Sequence, residues 1–383
     1  MPSDPRSDSV PEAENDAETE PKPNSPPEPA PNSPTEPALS ESLRVSDESG
    51  ESAIRISPAL GCNLYSWQAE GREFFFIPEG FLQHPESDPS AAHLAGGNPV
   101  LFPAVGRTWD MSATPPAAEV YRLAGRTETF RMPVHGLAGL MQWERLESAP
   151  DAAAPARAAP ARAASGGAAA AGAASPTAAA AYRGRIPEAV QAENYPFDVE
   201  LSLRYELSRD SVGITATARN HSAAAAPFAF GLHPYFRVSE KAAVALELPC
   251  TNRVKLHEEL LVPTGEREPL EDPVLRFDDG STYDIAFGDV NGSAARIRNV
   301  ADGLDVRIDI DPAVEMFVVY SGAHTPFICV EPWTRGLGGY SSLRENATPS
   351  NPALGFIEAG VTRTLSIRYS AVHTTQRHGG TRS

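Results

Sequence analysis

The stretch VELSLRYELSRDSVGITATARNHS, residues 199–222, decides how this chain folds. In its first nine residues Val199, Leu201, Leu203, Tyr205 and Leu207 fall on one face of an extended backbone. Glu200, Ser202, Arg204 and Glu206 fall on the other. That period of two belongs to a strand with one buried and one wet face. A second β-rich run follows after Ser208, Arg209 and Asp210. Outward from this pair the same texture recurs in ESAIRISPAL, REFFFIP, LDVRIDID, EMFVVYSG, FICVEPW and RTLSIRYSAV. These runs are short, rich in Val, Ile, Phe and Tyr, and punctuated by Asp, Gly, Asn and Pro. Long helical patterns are nearly absent. The fold class is therefore all-β, a sandwich or barrel of many short strands.

Composition sets the outer limits. The chain has 383 residues, 37 of them Pro and 29 Gly, and a formal net charge of −18. Residues 1–50 hold 11 Pro and 12 Asp+Glu against 3 Lys+Arg, with few large apolar side chains. Such a segment cannot bury enough surface to offset its ordering entropy, so it reads as a disordered acidic tail. Residues 149–181 contain 20 Ala, but Pro150, Pro155, Pro160, Gly166, Gly167, Gly172 and Pro176 interrupt every candidate helix. Because strand-like runs flank it, this stretch reads as a disordered insertion into one domain of residues 51–373. Residues 374–383 read as a second disordered tail. About 290 residues remain, enough for a large core.

An acidic chain repels phosphate backbones and anionic lipid, so neither nucleic acid nor a membrane is an expected partner. No apolar run approaches the roughly 18–20 residues that span a bilayer, and the N-terminus lacks the basic head and apolar stretch of a secretory signal. Cys62, Cys250 and Cys329 are few, odd in number and far apart, which fits reduced thiols in the cytoplasm. The Asn-x-Ser/Thr matches at Asn220, Asn291 and Asn346 carry little weight without export.

Four segments place polar groups in apolar settings: GGNPVLFPAVGR (residues 96–107), PVHGLAG (133–139), PFAFGLHPYF (227–236) and FICVEPWT (327–334). His233 and Glu331 each precede a Pro, which pushes them toward extended geometry and places them at strand ends. A carboxyl held against Val330 and Trp333 is partly desolvated, which raises its pKa and strengthens it as a base. An imidazole with a pKa near 6.5 can give or take a proton at neutral pH. Together the two could act as general base and general acid. Taken singly, each of these residues also fits a purely structural role, as do Arg107 and His135. The aromatics Trp109, Tyr235, Phe236 and Trp333 could face a ligand or simply pack. His257-Glu258-Glu259 lacks the second His of a metal motif.

In order and spacing, the set resembles the aldose 1-epimerase (galactose mutarotase-like) family over nearly all of residues 53–372. SPALGCNLYSWQAEGREFFFIPEG looks like its first hairpin, and GGNPVLFPAVGR resembles the segment ending in a substrate-binding Arg. PVHGLAG resembles its His-Gly segment, and residues 195–236 give the longest similarity. STYDIAF resembles its Asp segment, and FVVYSGAHTPFICVEPWT the strand bearing its catalytic Glu. The resemblance implies an antiparallel β-supersandwich with a sugar cleft. It implies Glu331 as general base on the anomeric hydroxyl and His233 as general acid at the ring oxygen. His135, Arg107 and Asp284 would bind substrate, with Asn98 as a further polar contact and Asp278, Asp279 and Asp289 as alternatives to Asp284. No metal or other cofactor is implied. The partner is a small-molecule sugar, and the assembly a monomer or homodimer. Leu137-Ala138-Gly139 after the His-Gly pair, and RGLGGYSSLRENATPSNP after VEPWT, depart from the family pattern where the substrate rim is expected. Which aldose is taken therefore stays open. The alternatives are a hexose-6-phosphate 1-epimerase, which needs extra cations such as Arg126, Arg131 or Arg335, and a non-catalytic sugar-binding module.

Overall fold

A computed structural model describes residues 40–47, 50–83, 89–123, 126–147, 178–301, 304–334, 338–342 and 355–373. The alternation over 199–207 is realised residue by residue: all five apolar positions of Val199–Leu207 are buried, and the four polar ones between them are half-exposed. This strand pairs antiparallel with Ala178–Arg185 on one side and Ser211–Asn220 on the other. It belongs to a nine-stranded sheet whose spatial order is 142–146, 178–185, 199–207, 211–220, 362–373, 304–310, 294–301, 245–247 and 274–276. A second sheet has eight strands in the order 263–269, 250–256, 283–290, 316–321, 327–333, 231–232 and 100–101, and Tyr235–Arg237 also pairs with Phe327–Trp333. Both sheets contribute to one continuous apolar core, in which Leu203, Ile214, Ile308 and Ile367 join Phe317, Val319, Ile328 and Val330. Glu41–Asp47, Gly50–Ser57, Asn63–Ala69 and Arg72–Glu73 form a separate four-stranded sheet. The described residues thus make the expected antiparallel sandwich, with short helices at Pro89–Ala92 and Glu188–Asn194.

Two expected boundaries are corrected. The disordered reading of residues 1–50 fails from position 41, because Glu41–Asp47 pairs with Gly50–Ser57 in the register Leu43↔Ile54. Leu43 packs on the core and the Tyr182 hydroxyl meets Glu41, so this segment finds partners that its average composition hides. Likewise Ala178–Ala181 is not insertion but the start of a strand, with Leu146↔Ala181 on one edge and Ala178↔Leu207 on the other. The open edge of the 199–207 strand supplies backbone bonds that override the helical preference of Ala, and Ala180 and Ala181 are small enough to be buried there. The two strands flanking the Ala-rich stretch are therefore sheet neighbours. Residues 1–39, 148–177 and 374–383 lie outside the described residues.

The second sheet positions the chemistry. Every residue of Phe327–Trp333 is buried. Ile328 and Val330 enter the main core, while Phe327 and Cys329 belong to a separate cluster on the opposite face with Tyr235. Glu331 shares that second face by strand alternation. It lies inside the strand, between Val330 and Pro332, not at its end as expected. His233 bridges Gly231–Leu232 and Tyr235–Arg237, both of which pair with the Glu331 strand.

A buried amide ties the first hairpin to this face. Asn63 Nδ2 donates to the carbonyls of His93 and Gly96, each at 2.8 Å, and Asn63 Oδ1 accepts the Asn98 N–H at 2.9 Å. Gly97 makes the approach possible, since its φ is +74° and an added Cβ would lie 2.5 Å from Asn63 Oδ1. Asn63→Ala would remove three hydrogen bonds to backbone groups in a dry setting. It is expected to lower the unfolding free energy by roughly 2–4 kcal/mol, read from urea denaturation. A cost below about 1 kcal/mol would show that the 93–98 segment is held by other contacts.

Candidate active site

The cavity on the outer face of the second sheet has a volume of about 290 Å³, and Arg107, His135, His233, Asp284 and Glu331 all line it. That is at the small end of the roughly 300–1,000 Å³ usual for small-molecule sites, a size suited to one sugar ring. Five of the six residues singled out from the sequence therefore converge, although they span more than 220 positions.

Glu331 and His233 are in direct contact, with His233 Nε2 3.2 Å from Glu331 Oε1. Glu331 is 1% exposed and His233 6%. Neither carboxyl oxygen, nor His233 Nδ1, has a hydrogen bond of ordinary geometry. The His233 ring stacks on Tyr235 with centroids 4.7 Å apart, and the Tyr235 hydroxyl is fixed by donating to the Leu94 carbonyl at 2.7 Å. Burial pushes the Glu331 carboxyl well above its ordinary range. The Asp284 charge adds to that rise, and the Trp333 indole N–H opposes it. Burial also pulls His233 down from 6.5 to about 3. Burial thus disfavours both charges.

His135 stands over the pair, its ring perpendicular to His233 with centroids 5.2 Å apart, and edge-on to Trp333 at 5.5 Å. Its position is held by strain and close contact. His135 has φ +66°, and the next residue, Gly136, has φ +89°. A Cβ on Gly136 would lie 2.3 Å from the Phe102 carbonyl oxygen. The His135 N–H donates to the Gly106 carbonyl at 3.0 Å, and His135 Nδ1 accepts the Gly106 N–H at 3.2 Å. An accepting Nδ1 leaves the proton of the neutral ring on Nε2. Burial first, then His233, His93 and Arg107, hold this imidazole well below its ordinary value.

Arg107 is exposed on the cavity wall. Asp284 lies two strands from Glu331, opposite Tyr320 in the register. Partial desolvation raises its pKa and Arg107 draws it back.

The remaining expectations divide. Asn98 is buried beside the Tyr369 hydroxyl and does not line the cavity, so the structure keeps it apart from the other five. Asp278, Asp279 and Asp289 do not line it either. Trp333 and Tyr235 do, whereas Phe236 is core, and Trp109 donates its indole N–H to the Leu260 carbonyl at 3.0 Å. His257 uses Nδ1 to accept the N–H groups of Glu259 and Leu260, a turn cap and not a metal ligand. Sequence reasoning missed Tyr320, Val318, Leu256 and Leu261 on the cavity wall. Alternation in FVVYS could have found Val318 and Tyr320, since they share a face. Cys329, His233 and Glu331 offer three ligand-type atoms within 4.8 Å of one another, the one such group among the described residues.

The sequence profile of the family described as Aldose 1-epimerase matches residues 182–354. Comparison with curated protein sequences found no match. Among solved structures, the chain resembles the Slr1438 protein of Synechocystis sp. PCC 6803 at 20% identity and TM-score 0.66, covering 87% of this chain and 96% of that one. It resembles a galactose mutarotase-like protein from Lactobacillus casei at 18% identity and TM-score 0.63, over 87% and 100%. It also resembles the galactose 1-epimerase of Lactobacillus acidophilus at 13% identity and TM-score 0.58, over 87% and 98%. Residues 182–354 therefore resemble the aldose 1-epimerase family, and the fold that carries them is galactose mutarotase-like.

Proposed function

We propose that this protein is an aldose 1-epimerase that interconverts the α and β anomers of a free aldose by general acid–base ring opening. The observation that carries the reading is the buried contact of His233 Nε2 and Glu331 Oε1, 3.2 Å apart on the wall of a sugar-sized cavity. Opening a cyclic hemiacetal takes a proton from the anomeric hydroxyl and delivers one to the ring oxygen. Both oxygens sit on the same carbon, so base and acid must be neighbours.

The pair holds one mobile proton. With sugar bound, ionised Glu331 accepts the hydroxyl proton and protonated His233 gives its proton to the ring oxygen. The C1–ring-oxygen bond breaks, leaving an aldehyde, a neutral carboxyl and a neutral imidazole. Rotation about C1–C2 presents the other face of the aldehyde, and the transfers run backwards. Burial disfavours both charges, so the ion pair that starts the reaction is the higher-energy form of the pair, and the two transfers discharge it. His135, with its proton on Nε2, Arg107 and Asp284 orient hydroxyls. General acid–base action contributes about 10²–10⁴-fold and positioning more.

Arg107 is the one guanidinium on the wall among the described residues, which favours a free sugar over a phosphorylated one. Arg131 lies 3.5 Å from Glu119 instead, Arg126 is off the wall, and Arg335 lies outside the described residues.

Glu331→Gln and His233→Asn are each expected to lower kcat by about 10²-fold or more, with KM changed far less, as measured by polarimetry or NMR exchange of fresh anomers. A wild-type protein that binds aldoses but does not accelerate equilibration would make it a binding module instead.

The pH profile is a second check. Activity needs one proton in the pair, so kcat/KM falls when a second is added or the first is lost. With His233 near 3 and Glu331 raised, the acid limb lies well below 6.5 and the alkaline limb above the ordinary carboxylate range. Lowering the pH through 6.5 is therefore expected to cost no activity. An acid limb centred near 6.5 would mean an ordinary, solvated imidazole and would overturn the assignment.

A further inference from the structure

The proton-transfer pair has a third neighbour that anomerisation does not use. Cys329 lies two residues before Glu331 in Phe327–Trp333, so its side chain leaves the strand on the same face. Tyr235 pairs with it on one side and Tyr320 on the other, and its thiol is buried. One ligand-type atom from each of His233, Cys329 and Glu331 falls within 4.8 Å of the other two. Glu331 is 1% exposed, and neither of its oxygens has a hydrogen-bond partner of ordinary geometry, so the carboxyl has free acceptor capacity turned toward the other two groups.

Thiolate, imidazole and carboxylate together suit zinc and its heavier congener cadmium, whereas calcium and magnesium need more oxygen ligands than the group holds. A tetrahedral zinc ion, with bonds of about 2.0–2.3 Å, sets its ligand atoms roughly 3.3–3.6 Å apart. His233 Nε2 and Glu331 Oε1 already stand at 3.2 Å. Bringing Cys329 Sγ into the same shell requires a closure of little more than about 1 Å. Charge favours the same ion. A thiolate and a carboxylate are each costly in this dry setting, but two negative ligands, a neutral imidazole and a divalent cation sum to zero. The thiol proton leaves for solvent as the metal enters. His233 and Glu331 line the cavity, which gives the ion a path in and leaves its fourth position to water. Asp284 on the same wall attracts a cation and Arg107 opposes it. His135 is no ligand in this tautomer, since its Nδ1 is taken by the Gly106 N–H and its Nε2 carries the proton.

We propose that His233, Cys329 and Glu331 form a three-ligand site for a thiophilic divalent cation, zinc or cadmium, whose binding switches the enzyme off. The ion takes the lone pairs of Glu331 and His233 that move the proton, so metal and anomerisation exclude one another. The binding stands on the geometry of the three side chains; the loss of activity rests on the anomerisation reading.

The test uses the full chain, stripped with a chelator, and adds Zn²⁺, Cd²⁺ or Mg²⁺ alone. Calorimetry reads binding, the ultraviolet thiolate-to-cadmium charge-transfer band reads the ligand, and NMR anomer exchange reads activity. One equivalent of zinc is expected to bind and stop exchange, chelator to restore it, cadmium to add the band, and magnesium to do nothing. Cys329→Ser should lose the band and need more than about 100-fold more zinc for inhibition, scored against its own zinc-free rate, since even losing a ligand's hydrogen-bond partner costs about 10–100-fold. Should that variant not fold, Glu331→Gln must weaken zinc binding in its place. No band in the wild type, or zinc acting equally on Cys329→Ser, overturns the site and leaves anomerisation standing. Zinc that binds through Cys329 without slowing exchange overturns the switch. The band and binding without acceleration of any aldose by the stripped protein uphold the site and overturn anomerisation.

Discussion

A carboxyl group sealed in the protein with neither oxygen hydrogen-bonded is the constraint around which this site is arranged. Glu331 cannot withdraw from that position. Its strand is buried on both faces, with Ile328 and Val330 packed into the sandwich and Cys329 and Trp333 flanking it on the cavity side. Phe317↔Pro332 and Val318↔Glu331 fix its register on one side, and Gly231↔Trp333 and Tyr235↔Cys329 on the other. Gly231 is needed there, because a Cβ would lie 2.5 Å from the Trp333 ring. A buried carboxyl can be relieved by a proton or by a partner charge. The fold supplies one of each through His233, and a group poised between two protonation states is what proton transfer requires.

Local periodicity made the strands legible, because burial of alternate residues is written into the order of side chains at Val199–Leu207 and Thr362–His373. It failed where a segment draws its order from elsewhere. Glu41–Asp47 looks like the rest of an acidic tail until Gly50–Ser57 lies beside it. Ala178–Ala181 looks like low complexity until the edge of another strand is offered. The site shows the same division. His135, His233 and Glu331 stand out as ionisable groups in apolar runs, and family order connects them. Asn98 was expected only as a further polar contact, and it is buried beside Tyr369, off the cavity wall. Leu256 and Leu261 carry no chemical signal at all, and only the pairing of Cys250–Leu256 with Tyr283–Val290 brings them to the cavity.

Contact between acid and base also explains why the aromatic residues are where they are. An imidazole in contact with its partner through Nε2 alone needs another restraint, and stacking on Tyr235 with the perpendicular His135 ring supplies it. Tyr235 can serve as a platform because its hydroxyl is already committed to Leu94, which removes it from competition for the proton.

Left-handed backbone marks both ends of the cavity, at His135 beside the proton-transfer pair and at Leu261 beyond Asp284. In each case the strain is held by something that could not easily yield. Gly136 lets His135 approach Phe102 closely, and Trp109 grips the carbonyl next to Leu261. A strand can present a side chain only perpendicular to its sheet, so a wall that leans over a sheet-face cavity must come from loops. Loops keep such a position only when their backbone is locked. The sheet therefore supplies the floor, where Glu331 and Asp284 are spaced by whole strands, and strained loops supply the walls.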